Sequence, residues 1–301
     1  MRVKSKLTAI LCIGAAVAGA LLGTAETIEL NPVADTGLFQ PFPNNNFGAQ
    51  VDLAVGTSGP NGGVGDFRGL FQFDIANEIP AGATIESVSF RFRVTNAAAG
   101  SGSTVEVRRQ LTEWTEGTKT GLKGQPATTG ETTWNNRQKD VSAWGTNGGQ
   151  EGTDYAGNPS GFVAIDTASS YTIPSSAEMV ADVQAWLDNP DNNFGWLMRS
   201  RSEGTPFTAR RIATRETSIA ANRPVLIVEF STLPSIPPTI TSIEVQNAQA
   251  TLAWENGNPP YQVQFKPTLA DAWSNVGDPT TETSATVPAP GDQGYYQIVS
   301  E

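Results

Sequence analysis

The stretch FTARRIATRETSIAANRPVLIVEF (Phe207–Phe230) decides how the chain is read. It opens on the arginines Arg210, Arg211 and Arg215, continues through polar turn residues, and closes on Val225, Leu226, Ile227, Val228 and Phe230. Pro224 has a fixed φ and no N–H, which suits the first residue of a strand. The apolar, largely β-branched run after it has the character of a buried strand. LPSIPP (Leu233–Pro238) follows at once and cannot continue a sheet, so a domain ends there.

Working outward, 30 Gly and 20 Pro among 301 residues, with short apolar runs between, point to an all-β protein rich in turns. The expected architecture is a β-sandwich with one short helix over residues 26–232, a Pro-rich linker at 233–238, and a second, smaller β-sandwich at 239–301. Residues 1–25 read as a secretory signal peptide: Arg2, Lys4 and Lys6 precede an apolar run, and Gly23-Thr24-Ala25 offers small residues for cleavage before Glu26. The expected product is extracellular, secreted or associated with the bacterial cell surface, with no stable membrane insertion after cleavage.

Charge and composition exclude several chemistries. The net charge of −11 argues against nucleic acid as a partner. The sequence has no His, and its one Cys, Cys12, lies in the expected leader. Ser-His-Asp and Cys-His catalysis and His-ligated zinc are therefore ruled out. No pair of carboxylates is set apart by spacing, and the chain reads as non-catalytic.

Alternation predicts strands at Thr27–Leu30, Val51–Val55, Gly69–Ile75, Ser87–Thr95, Thr104–Leu111 and Phe194–Arg199, the first three long ones forming successive antiparallel neighbours. Asp35–Gly48 reads as a loop. Ser175–Asn189 reads as the helix, with Ser175 and Glu178 as a capping box and an apolar stripe of Met179, Val180, Val183, Trp186 and Leu187. In the tail, short strands are expected at Ile240–Val245, Thr251–Trp254, Tyr261–Phe265, Ala285–Val287 and Tyr295–Val299.

Several blocks carry a resemblance. Gly69-Leu-Phe-Gln-Phe-Asp74 with Ile79-Pro-Ala-Gly-Ala-Thr-Ile85, Trp114-Thr-Glu-Gly117 with Thr133-Trp-Asn135, Asp182-Val-Gln-Ala-Trp186 with Asn193-Phe-Gly195, and Thr214-Arg-Glu216 with Arg223-Pro-Val-Leu226 occur in one order. Together they resemble the DNRLRE-domain family, which overlaps carbohydrate-binding module family 96. The resemblance implies a jelly-roll-like β-sandwich and a polysaccharide ligand, acidic ones such as alginate included. The tail is similar to fibronectin-type or immunoglobulin-like domains of secreted bacterial proteins.

Within that expectation the ligand candidates are Arg91, Arg93, Arg108, Arg210, Arg211 and Arg215, whose paired N–H donors suit sugar carboxylates. The alternative is a row of structural ion pairs, with Arg215 held by Glu216 or Asp74. Trp114, Trp134 and Trp144 either stack on sugar rings or close a core beneath long loops. Asp35, Asn46 and Asp52, near Asn44 and Asn45, supply oxygen ligands for a structural calcium ion; the same residues also serve ordinary turns. The competing function is a structural cell-surface or matrix protein without a sugar ligand, docking through residues 239–301.

Overall fold

The structure is a computed structural model describing residues 24–60, 64–97, 102–232, 236–289 and 293–300. The expected leader lies outside the described residues apart from its last two, and so do residues 233–235 of the linker. The described residues fall into two compact units, residues 24–232 and the described residues from 236 onward.

The N-terminal unit begins with β1 (Thr24–Leu30), β2 (Ala34–Phe39), β3 (Asn45–Asn46), β4 (Asp52–Thr57), β5 (Asp66–Gln72), β6 (Thr84–Ala97) and β7 (Ser103–Arg109). A loop-rich stretch carries the short β8 (Gln125–Pro126), β9 (Asn136–Gln138) and β10 (Ser142–Ala143). Then come β11 (Gly161–Ile165), β12 (Ser170–Ile173), helix α1 (Ala177–Asp188), β13 (Trp196–Ser200), β14 (Arg210–Ala213) and β15 (Val225–Thr232).

One antiparallel sheet curls on itself in the order β1-β15-β6-β14-β4-β5-β13-β7-β11, with β12 also on β6 and β2 also on β5. The closing strand β15 is central to one half: Leu226 pairs with both Leu30 and Phe90. The two halves bury one core. Phe90 of β6 meets Phe71 of β5 and Trp196 of β13 ring to ring, at 5.4 and 6.3 Å between centroids, although these strands are not paired with β6. This is the expected all-β sandwich.

Three local expectations are corrected. The successive strands β5, β6 and β7 are not neighbours: β6 lies in one half, while β5 and β7 flank β13 in the other. Core packing between halves, rather than chain adjacency, sets the order. The loop expected from Asp35 contains β2, buried along nearly its whole length; a strand buried on both sides shows no alternation to read. The helix cap is Ser176, whose hydroxyl accepts the Met179 N–H at 3.1 Å, while Ser175 accepts the Val88 N–H from β6 at 3.0 Å. The anticipated apolar stripe is otherwise present, with Met179, Val183, Trp186 and Leu187 buried.

The C-terminal unit comprises β16 (Thr239–Gln246), β17 (Gln249–Glu255), β18 (Tyr261–Lys266), β19 (Ser274–Asn275), β20 (Ser284–Pro288) and β21 (Tyr295–Ser300). Two three-stranded sheets, β16-β17-β20 and β19-β18-β21, enclose Leu252, Trp254, Tyr261, Val263, Val287 and Ile298.

Candidate functional site

Residues far apart in sequence converge where β2, the loop after β7 and the turn after β14 meet. Asp35 stands on β2, Glu116 and Gly117 in the loop, and Arg215-Glu216 in the turn. The Arg215 guanidinium grips both Glu116 oxygens at 2.6 and 2.7 Å and reaches Glu216 Oε1 at 3.0 Å. The Arg215 N–H donates to Asp35 Oδ2 and the Asp35 N–H to Glu116 Oε1, both at 2.8 Å. Gly117 sits at φ +82°, where a Cβ would collide with the Asn46 carboxamide, so the glycine after Glu116 is sterically required. Of the two structural partners considered for Arg215, Glu216 is found and Asp74 is not; the principal one, Glu116, lies 99 residues away.

This centre is short of positive charge, with one guanidinium facing three carboxylates. Burial, then the Glu216 charge, pushes the Asp35 carboxyl well above its ordinary range. Burial also raises Glu216. Of the oxygen ligands anticipated from sequence, only Asp35 lies here. The Asn46 amide donates to the Glu116 and Thr132 carbonyls, and its oxygen accepts the Gly48 and Lys119 N–H groups. Asp52 on β4 is ion-paired with Arg211 at 2.5 Å. The three residues therefore do not form one site, because Asn46 is consumed holding the loop and Asp52 faces another strand.

The anticipated arginines divide between faces. Arg91 and Arg93 alternate with the core residues Phe90, Phe92 and Val94 on β6 and point outward. Arg93 has no carboxylate partner among the described residues, and Arg91 shares only the exposed Glu29 at 3.2 Å. Arg211 joins this side through Asp52, which also accepts from Thr95. Arg108, on β7 of the facing half, points to the opposite outer surface. Arg210 is 1% exposed and donates to the Asp166, Phe207 and Ala209 carbonyls. The six do not share one surface.

On the outer surface of the second half, Leu38, Leu70 and Leu197 are roofed by Trp114, Trp134, Trp144 and Tyr155 from the 112–160 loops. Two of the three indoles use their N–H groups internally, Trp114 to the Phe194 carbonyl at 2.8 Å and Trp144 to the Thr133 carbonyl at 2.9 Å. They thus take the second of their two anticipated places, in a core under loops. Beside them runs an ionic network in which Glu106, one of the acids expected to pair these arginines, takes Arg108, while Glu203 was not anticipated. Glu106 accepts from Arg108 at 2.7 Å and Arg201 at 2.8 Å, and Glu203 accepts from Arg68 at 2.8 Å and Arg199 at 2.7 Å. Arg68 also lies over the Trp134 ring at 5.3 Å.

Beside α1 opens a pocket of about 270 Å³, lined by Arg109, Gln110, Leu111, Trp186, Asn189 and Phe194. Arg109 is half-exposed and lies 3.5 Å from Asp182. Asp182 itself is hydrogen-bonded by Ser160 and by Trp196 Nε1 at 2.8 Å, and burial raises its carboxyl. The pocket combines an apolar wall, amides and one guanidinium.

No curated protein matches the chain. Among solved structures it is similar to a β-1,2-glucanase from Parabacteroides distasonis, at 12% identity over 91% of this chain, with a TM-score of 0.18. The chain spans about a third of that protein's length (34%), and such a score implies no shared architecture. The match that bears on function is to the N-terminal unit: residues 26–156, from β1 through the loops that roof the second outer surface, match the family model described as carbohydrate-binding module family 96.

Proposed function

We propose that this chain is a secreted, non-catalytic polysaccharide-binding protein whose N-terminal sandwich takes acidic glycans such as alginate. The match of residues 26–156 to a carbohydrate-binding module family carries the reading. Two surfaces support it. The pocket beside α1 can hold a sugar unit between Phe194, Leu111 and the Arg109 guanidinium. The β6 surface presents Arg91 and Arg93, with the hydroxyl residues Thr172 and Ser170 directly opposite them on β12. The non-catalytic part rests on the carboxylates: the closest trio, Asp35, Glu116 and Glu216, is shielded and locked by Arg215, so it cannot flank a glycosidic bond. The C-terminal unit is read as a fibronectin-type or immunoglobulin-like docking module.

The competing reading, a structural surface protein, draws on the internal pairing of Arg108, Arg211 and Arg215. Affinity electrophoresis decides between them, with alginate, pectin, a sulfated polysaccharide and a neutral glucan at low and high salt. The acidic polymers are expected to retard the wild type and to lose hold near 1 M salt, where screening falls to ~3 Å. Arg91→Ala with Arg93→Ala should weaken binding roughly 5- to 30-fold, as loss of two exposed charge contacts of about 0.5–1 kcal/mol each implies. Arg109→Ala tests the pocket in the same gel. If no polymer retards the wild type, the carbohydrate reading is wrong.

A further inference from the structure

We infer that Asp35, Glu116 and Glu216 form a binding site for a hard divalent cation of calcium's size. Each offers a carboxylate oxygen, and the three oxygens lie within 4.8 Å of one another. An ion at their centre would be no more than about 2.8 Å from each, within a few tenths of an ångström of calcium–oxygen distances of ~2.3–2.6 Å. Magnesium, at ~2.0–2.1 Å, would need much more movement.

Two further observations point to a ligand. Asp35 is 1% exposed, and although its Oδ2 takes the Arg215 N–H, its Oδ1 has no partner; Glu216 Oε2 is likewise buried and unpartnered. Buried acceptors are nearly always satisfied, so these two oxygens call for either a proton shared between Asp35 and Glu216 or a cation between them. With the ion displacing the protons that burial favours here, three carboxylates and the Arg215 guanidinium carry two negative charges, which one divalent ion cancels. Arg215 holds Glu116 in both oxygens and so fixes the site's geometry while repelling the ion. That repulsion, and the need to complete six to eight ligands with carbonyls or water, place the affinity in the weak range of calcium modules, Kd about 10⁻⁴–10⁻³ M.

The test uses the full chain, stripped with chelator and titrated with Ca²⁺ or Mg²⁺ alone, by calorimetry and thermal melting. At 5 mM Ca²⁺ the N-terminal unit should melt about 2–9 °C higher, with a smaller effect of Mg²⁺. Asp35→Asn, which keeps an acceptor for the Arg215 N–H, should abolish the Ca²⁺ response; Glu216→Gln is the second variant should the first not fold. Asp52→Asn, outside the cluster, should respond like the wild type. A wild type without binding heat or melting shift, stabilised by Asp35→Asn, would mean that protons alone satisfy the cluster and overturns the site. An equal Ca²⁺ response in wild type and Asp35→Asn overturns it as well.

Discussion

Glu106→Gln should cost the N-terminal unit about 2–3 kcal/mol at pH 7, and most of that loss should vanish in acid. Glu106 is 3% exposed and accepts from Arg108 at 2.7 Å and Arg201 at 2.8 Å, with Arg199 at 4.0 Å. Glutamine removes the charge and turns an N–H₂ toward guanidiniums that can only donate. Breaking a buried pair costs more than the pair contributes, because the orphaned charge stays behind. The lower end applies here, since Arg201 is partly exposed and Arg108 retains Glu151 at 3.1 Å. Burial raises the Glu106 carboxyl, but hydrogen bonds from Arg201 and Arg108 outweigh it and hold the group below its ordinary value. A depressed folded value means stabilisation present above the unfolded value, ~4.3, and lost as pH falls through the folded one. Urea denaturation at pH 7 and at pH ~3 reads both. A difference that does not change with pH would assign the loss to packing rather than charge.

That network shows how far the sequence carries. Alternation along Ser87–Thr95 correctly turned Arg91 and Arg93 away from the core. The run Val225–Phe230 identified the strand that joins β1 to β6. Period-two patterning reports which side of a strand faces the core, but not which half of a sandwich the strand joins. Arg108 could therefore not be separated from Arg91 before the packing of Phe90 against Phe71 and Trp196 was known. β14 escaped notice because its first residue, Arg210, is a buried arginine whose acceptors are carbonyls, two of them in its own entry turn. The carboxylate centre is a different case. Its members are separated by 81 to 180 residues along the hydrogen bonds that join them, and no local period links such positions. The available signal was that Glu116 and Arg215-Glu216 each sit in a block that resembles the DNRLRE-domain family, Trp-x-Glu-Gly and Thr-Arg-Glu. What neither block reveals is that they grip each other.

Trp134→Ala should lower the melting temperature of the N-terminal unit by roughly 6–15 °C, from a loss of about 3–4 kcal/mol. Trp134 is 6% exposed and packs with Leu38, Leu70, Leu197, Trp114, Trp144 and Tyr155 over the second half of the sheet. Its carbonyl accepts the Gly148 N–H at 2.6 Å, and Gly148 sits at φ +84° with the indole where a Cβ would stand. Truncation therefore opens a cavity and frees the loop that approaches the ring. It also removes one of the two rings beneath Arg68, leaving that guanidinium to Tyr155, Glu203 and the Gly148 carbonyl. Because the ring faces the protein and not solvent, glycan affinity measured well below the variant's melting point should match the wild type. Arg91→Ala with Arg93→Ala should show the reverse pattern, unchanged melting and weaker binding to acidic polymers. Should Trp134→Ala keep its melting temperature but lose a neutral glycan, the indole would be a stacking platform reached by opening of the roof. The two variants together therefore separate the residues that build the sandwich from those that meet its ligand.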